Sequence, residues 1–138
     1  MQNDGNPAAA ASDSGPKPAV LGYNGCMNIL VYCTVPDDDT AARLAHVLVD
    51  ERLAACVSRI GALASTYRWQ GEVRTEQEVL LLIKTRSERF DALEARVLEL
   101  HPFDVPELIA VPIERGHQPY LDWLGTEVAA SSSAGKRS

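Results

Sequence analysis

Apolar residues in the first part of the chain form one strand-like run and one helical stripe. Residues 27–35 are almost continuously apolar, which is typical of a strand that is buried on both faces. Three acids follow, Asp37, Asp38 and Asp39, and carboxylates at this place cap and stabilise a helix N-terminus. Apolar side chains then recur at helical spacing, which predicts a helix to about residue 53 with this inward face: Ala41, Leu44, Ala45 and Leu48.

The middle of the chain predicts a long β-hairpin. Residues 54–67 and 72–85 are both strand-like, and a turn around residues 69–71 joins them, with Gly61 as a bulge or bend in the first strand. The second of these strands is apolar on both sides in its last half, so we expect it at the centre of a sheet.

The last part of the chain predicts two more helices and one more strand. Ser87 is the expected N-cap of a second helix, which ends at His101 before a proline. Residues 108–113 predict an edge strand, because Pro112 removes a donor from the ladder. A short final helix is expected to turn three side chains inward: Tyr120, Trp123 and Leu124.

The order of these elements is βαββαβ followed by a short helix, which predicts an α+β, ferredoxin-like fold with the first two helices on one face of an antiparallel sheet. Each hairpin strand is roughly twice the usual length, so the hairpin extends beyond the helices and leaves Tyr67 and Trp69 exposed. We therefore expect a partner subunit to cover the hairpin. The alternative is that the strands are interrupted at Gly61 and Glu76 and fold back onto their own domain.

Composition and charge divide the chain and limit its function. Residues 1–26 and 127–138 are rich in small and polar residues without apolar periodicity, so we expect disordered tails around a folded domain at residues 27–126. The 138 residues carry 13 basic and 19 acidic side chains, and this negative balance argues against nucleic-acid binding. No apolar run is long enough to span a membrane, and three unpaired cysteines favour a cytoplasmic location.

Two side chains are candidate metal ligands. Cys33 lies near the end of the first strand and His101 at the end of the second helix, and soft or borderline ions bind thiolate and imidazole. The structural alternatives to metal binding are that Cys33 packs as a small apolar side chain and that His101 interacts with the helix C-terminus. The sequence contains no nucleophile elbow, P-loop or dinucleotide fingerprint, so we do not expect an enzyme.

Six spaced segments between residues 28 and 124 resemble the CutA family, the divalent-cation tolerance proteins, and occur in the same order. They are CTVPD (33–37), LAACV (53–57), YRWQG (67–71), residues 78–85, HPF (101–103) with Pro106 and Glu107, and YLDW (120–123). The resemblance implies a ferredoxin-like protomer in a homotrimer, where long hairpins extend the sheets of neighbouring subunits. Tyr67, Trp69 and Trp123 are then the expected subunit-interface residues.

The resemblance also implies tolerance of divalent cations, with copper or another divalent cation as the bound ion. Cys33 and His101 match the cysteine and histidine proposed as ligands in the family. Leu100 stands where copper-binding relatives can carry a second histidine, and Phe103 replaces a common tyrosine. The alternative function is a trimeric regulatory or scaffolding module that binds a small effector or a protein partner in the clefts between subunits.

Overall fold

The structure is a computed structural model that describes residues 26–129. The elements follow the predicted order and have these bounds: β1 (Asn28–Val35), α1 (Asp38–Asp50), β2 (Cys56–Trp69), β3 (Glu72–Arg86), α2 (Phe90–Leu100), β4 (Leu108–Pro112) and α3 (Gln118–Glu127). The strands form one antiparallel sheet in the order β2-β3-β1-β4, which confirms the α+β, ferredoxin-like prediction. None of the helices in these residues is long and apolar enough to cross a membrane.

The sheet has one finished face and one open face. On the finished face, alternate residues of β1 and β3 are buried against α1 and α2 in a single core; among them are Val31, Cys33, Leu81 and Ile83. The residues between them point to the open face and are only half-buried: Leu30, Tyr32, Leu80 and Leu82. The prediction that the first strand is buried on both faces is therefore wrong for the single chain, because the protomer supplies helices for one face over most of the strand.

The starts of the two main helices differ. Asp37 is the N-cap of α1, where its carboxylate accepts a hydrogen bond from the backbone N–H of Thr40 at 2.8 Å, as the acidic run predicts. Ser87 does not cap α2: it begins a single 3₁₀ turn, and its hydroxyl instead accepts a hydrogen bond from the Met27 N–H at 3.0 Å. The predicted cap is wrong because Ser87 ties the end of β3 to the start of β1.

The hairpin is one continuous two-stranded ribbon. Gln70 and Gly71 both have positive φ, 51° and 82°, which is the two-residue turn that matches the twist of antiparallel strands. A register shift between Ile60 and Leu63 confirms the expected bulge beside Gly61, and pairing continues without a break through Ser65 and Glu76. Because β1 pairs only with residues 79–86 of β3, residues 63–78 form a ribbon, here called the hairpin ribbon, that projects from the sheet.

The last helix differs from the prediction in which side chains it buries. Leu124 is buried with Val128 and Ala55, but Tyr120 and Trp123 are 40 % and 42 % exposed rather than turned inward. The predicted boundary at residue 126 falls within the last turn of α3, since the helix continues to Glu127 and Val128 is buried. The predicted tails otherwise lie outside the described residues, apart from Cys26 at the start and Ala129 at the end.

Candidate functional site

Cys33 is held in the core as a neutral thiol. It points to the finished face of β1, is fully buried, and has its sulfur 3.9 Å from the Thr34 carbonyl oxygen, to which the thiol donates. Burial raises the pKa of this thiol from 9.0 to about 12, and the negative charges of Glu107 and Glu78 add to the shift. The thiolate that a soft metal would need is therefore strongly disfavoured.

His101 follows the last turn of α2 and is also buried. Its Nδ1 accepts a hydrogen bond from the backbone N–H of Phe103 at 3.1 Å, so its proton lies on Nε2, which donates to the Thr34 carbonyl oxygen at 2.9 Å. Burial lowers the pKa of the imidazole below 6.5, and the hydrogen bond to Thr34 opposes that shift. The ring is thus a neutral clamp between the end of β1 and the chain that follows α2.

The fold brings the two predicted ligands together, but their donor atoms do not fit a metal centre. Both donate to one backbone oxygen, and the remaining lone pair of the His101 ring accepts the Phe103 N–H. Binding through both side chains would require loss of the thiol proton and of at least one of these hydrogen bonds. Within residues 26–129, no group of three or more His, Cys, Asp or Glu side chains is placed to hold a metal ion.

Two acidic side chains near this clamp were missed by the sequence reasoning. The pairings of Val35 with Val79 and of Cys33 with Leu108 place Glu78 and Glu107 on either side of the end of β1. Glu78 is buried and accepts a hydrogen bond from the Ser65 hydroxyl at 2.8 Å. Burial and the negative charge of Glu78 raise the pKa of Glu107. An acid inside an apolar strand was the available signal for Glu78.

The three predicted interface residues lie on two separate elements. Tyr67 and Trp69 are half-buried on β2, in the hairpin ribbon, and Trp69 pairs with Glu72 beside the turn. Trp123 is on α3, with its ring centroid 5.5 Å from that of Tyr120. Their part in a subunit interface stays a prediction.

Comparison with known proteins gives one consistent result. The family model described as "CutA1 divalent ion tolerance protein" matches residues 29–127. "Divalent-cation tolerance protein CutA" of Thermus thermophilus is 52 % identical over 98 residues, which cover 71 % of this chain and 95 % of that protein. "Protein CutA 1, chloroplastic" of Oryza sativa is 47 % identical over 97 residues, and the match spans 70 % of this chain but only 55 % of the rice protein.

Solved structures agree with the fold. The Thermus thermophilus divalent cation tolerance protein superposes with a TM-score of 0.70 at 52 % identity, covering 71 % of this chain and 95 % of that one. CutA1 of Oryza sativa superposes with a TM-score of 0.74 at 45 % identity, covering 75 % and 95 %. Sequence and structure together show that the chain belongs to the CutA1 divalent ion tolerance protein family.

Proposed function

We propose that the protein acts as a homotrimeric binding module of this family rather than as an enzyme, and that it binds a small effector between subunits. The observation that carries the proposal is the open face of the sheet. Ile60, Ile109 and Val111 are 46 %, 54 % and 40 % exposed there, beside the half-buried Leu80 and Leu82. A contiguous apolar surface of this kind is typical of a protein–protein interface.

The hairpin ribbon supports the same proposal. Within the described part of the chain, residues 63–78 pair only with each other, and an isolated two-stranded ribbon is marginally stable in water. Further copies of the chain would cover the open face and give the ribbon additional neighbours. Tyr67 and Trp69 lie on the part of the ribbon that those copies would contact.

The mass of the particle in solution tests the proposal. Light scattering coupled to size exclusion is expected to give about three times 15.0 kDa at all practical concentrations. Ile109→Glu places a charge on the open face and is expected to lower that mass. Leu98→Glu is the matched control, because Leu98 is 49 % exposed on α2. A wild-type particle of 15.0 kDa would contradict the trimer.

Copper or another divalent cation at Cys33 and His101 is a separate hypothesis, which the family name favours and the donor geometry does not. The test is a titration of Cu²⁺ into the wild type and into the Cys33→Ala/His101→Ala double variant. We expect equal binding curves, because the thiol and the imidazole are already engaged by Thr34 and Phe103. Binding of Cu²⁺ that is present in the wild type and lost in the double variant would establish the site.

A further inference from the structure

Lys84 differs from the other basic side chains of the folded part. It is the only lysine among residues 26–129. It points to the open face of β3, where it is half-buried two positions from Leu82. Within the described part of the chain it pairs with no acidic side chain, and its polar contacts are to Ser58 and Cys56. Among the described residues this cation therefore has no counter-charge, and it lies on a mostly apolar surface.

The contacts of Lys84 leave hydrogen-bond donors free. Its Nζ lies 2.6 Å from the Ser58 hydroxyl oxygen and 3.7 Å from the Cys56 sulfur, on the neighbouring strand β2. An ammonium has three N–H donors, so one remains for a ligand. The Ser58 oxygen accepts from Lys84, which leaves the hydroxyl proton of Ser58 to be donated elsewhere.

A third element contributes to the same cluster. Tyr120, at the start of α3, lies close to Cys56, and burial together with the interaction with Cys56 raises the pKa of the phenol. The Tyr120 hydroxyl therefore remains a donor at neutral pH. Cys56, which its sequence context suggests is a core residue, is instead half-buried at the centre of this cluster on the open face.

We propose that Lys84, Ser58 and Tyr120 form a binding site for a small oxyanion, namely the carboxylate or phosphate group of a low-molecular-weight ligand. Charge-assisted hydrogen bonds to an oxyanion are stronger than neutral ones, and the apolar surroundings on β3 reduce the screening of the ammonium. The inference rests on the proposed function and names the ligand class of that binding module. Lys84 binds the anion and the two hydroxyl groups orient it.

Calorimetric titration with inorganic phosphate and with succinate, at constant ionic strength, tests the site in the full chain. We expect binding of at least one of the two anions by the wild type, and the tighter one shows whether phosphate or carboxylate is preferred. Lys84→Met is expected to weaken that binding about tenfold or more, because a charged hydrogen-bond donor is lost. Ser58→Ala and Tyr120→Phe are expected to weaken it less.

Arg59→Met is the matched control, since it removes one positive charge from an exposed position on the neighbouring strand β2 and leaves the cluster intact. Equal affinity in the wild type and Lys84→Met, or no binding of either anion by the wild type, overturns the proposal. The particle mass is measured on the same samples. A smaller particle for Lys84→Met means that Lys84 serves a contact with a second copy, which also overturns the anion site. A 15.0 kDa wild type refutes the trimer, while the titration still reports on the anion.

Discussion

The two faces of the sheet are built from the same strands and differ in what completes them. On the finished face, Val31, Leu81 and Ile83 are removed from water by two helices of the same chain. On the open face, α3 lies near β3 and β1, while Ile109 and Val111 remain exposed. Because side chains alternate along a strand, one run of apolar sequence specifies both faces. The finished face accounts for the stability of the protomer, and the open face is where we propose that it associates.

The reactive groups follow the same division. Cys33, on the finished face, is a buried neutral thiol whose hydrogen bond stays within the core. Cys56, on the open face, lies 3.7 Å from the Lys84 ammonium and close to the Tyr120 phenol. Groups that a ligand can reach therefore lie on the side that the protomer leaves incomplete, and this is why we place the binding function there.

Thiol alkylation should separate the two faces most strongly. Since the pKa of Cys33 is raised from 9.0 to about 12, its thiolate fraction is about a thousandfold lower than that of an ordinary thiol. Treatment with iodoacetamide at pH 8, followed by peptide mass spectrometry, is expected to modify Cys56 long before Cys33. Cys26 is exposed and serves as the internal reference. Modification of Cys33 at the rate of Cys26 would contradict the burial described here.

Two neighbouring leucines of β3 allow the contribution of each face to the free energy of unfolding to be compared. Leu81→Ala removes a fully buried side chain from the core and is expected to lower the free energy of unfolding by about 3 kcal/mol. Leu82→Ala acts on the open face, so its cost is expected to be smaller and to depend on protein concentration, because the proposed assembly covers that face. Chemical denaturation at several concentrations measures both. Equal and concentration-independent costs would remove the distinction between the faces.

His101→Ala tests the clamp at the end of β1. It leaves the buried Thr34 carbonyl without the imidazole donor, so we expect a loss of about 2 kcal/mol at pH 7.5. In the wild type the folded pKa of His101 lies below 6.5, so below pH 6.5 the unfolded chain binds the proton first and stability falls. His101→Ala should flatten this fall.

Two further groups bear on the same pH dependence. The exposed His46 is the control, and His46→Ala should keep the slope. The raised pKa of Glu107 acts in the opposite sense: just above pH 4.5 the folded state binds the extra proton, so this carboxyl stabilises the protein as pH falls there. An unchanged slope between pH 6.5 and 5 in His101→Ala would show that another group is responsible.

Local patterns were sufficient to predict most of the fold. The helical stripe of α1, the proline that limits β4 to an edge and the long hairpin all depend on residues close in sequence. The Ser87 cap failed because its hydroxyl accepts a bond from Met27, a residue 60 positions away. The inward orientation of Trp123 failed because only Leu124 and Val128 of the last helical turns meet the core.

The site was harder to predict than the fold. The sequence indicates that Cys33 and His101 lie near each other, but their protonation depends on burial and on the shared Thr34 carbonyl, which only the folded chain defines. Lys84 lies in one of the segments that carry the family resemblance, but no role was predicted for it, and its contact with Cys56 arises from the register that pairs the two residues. The charge of Lys84 was visible in the sequence, whereas its lack of an acidic partner within the described residues was not.

The N-cap of α1 provides the smallest expected effect and tests how this helix is held on the finished face. Asp37→Ala removes the carboxylate that caps the Thr40 N–H, so α1 should fray and the denaturation midpoint should fall slightly. Asp37→Asn keeps a capping oxygen and should stay close to the wild type. The hydrogen bonds from Thr40 hold the pKa of Asp37 below 3.8, so its contribution is complete above that pH and disappears as pH falls through the lowered value. The difference in denaturation midpoint between the wild type and Asp37→Ala should therefore vanish in strong acid. Asp37→Ala should also lower the midpoint by the same amount in the Ile109→Glu background as in the wild type, because the cap belongs to the finished face alone.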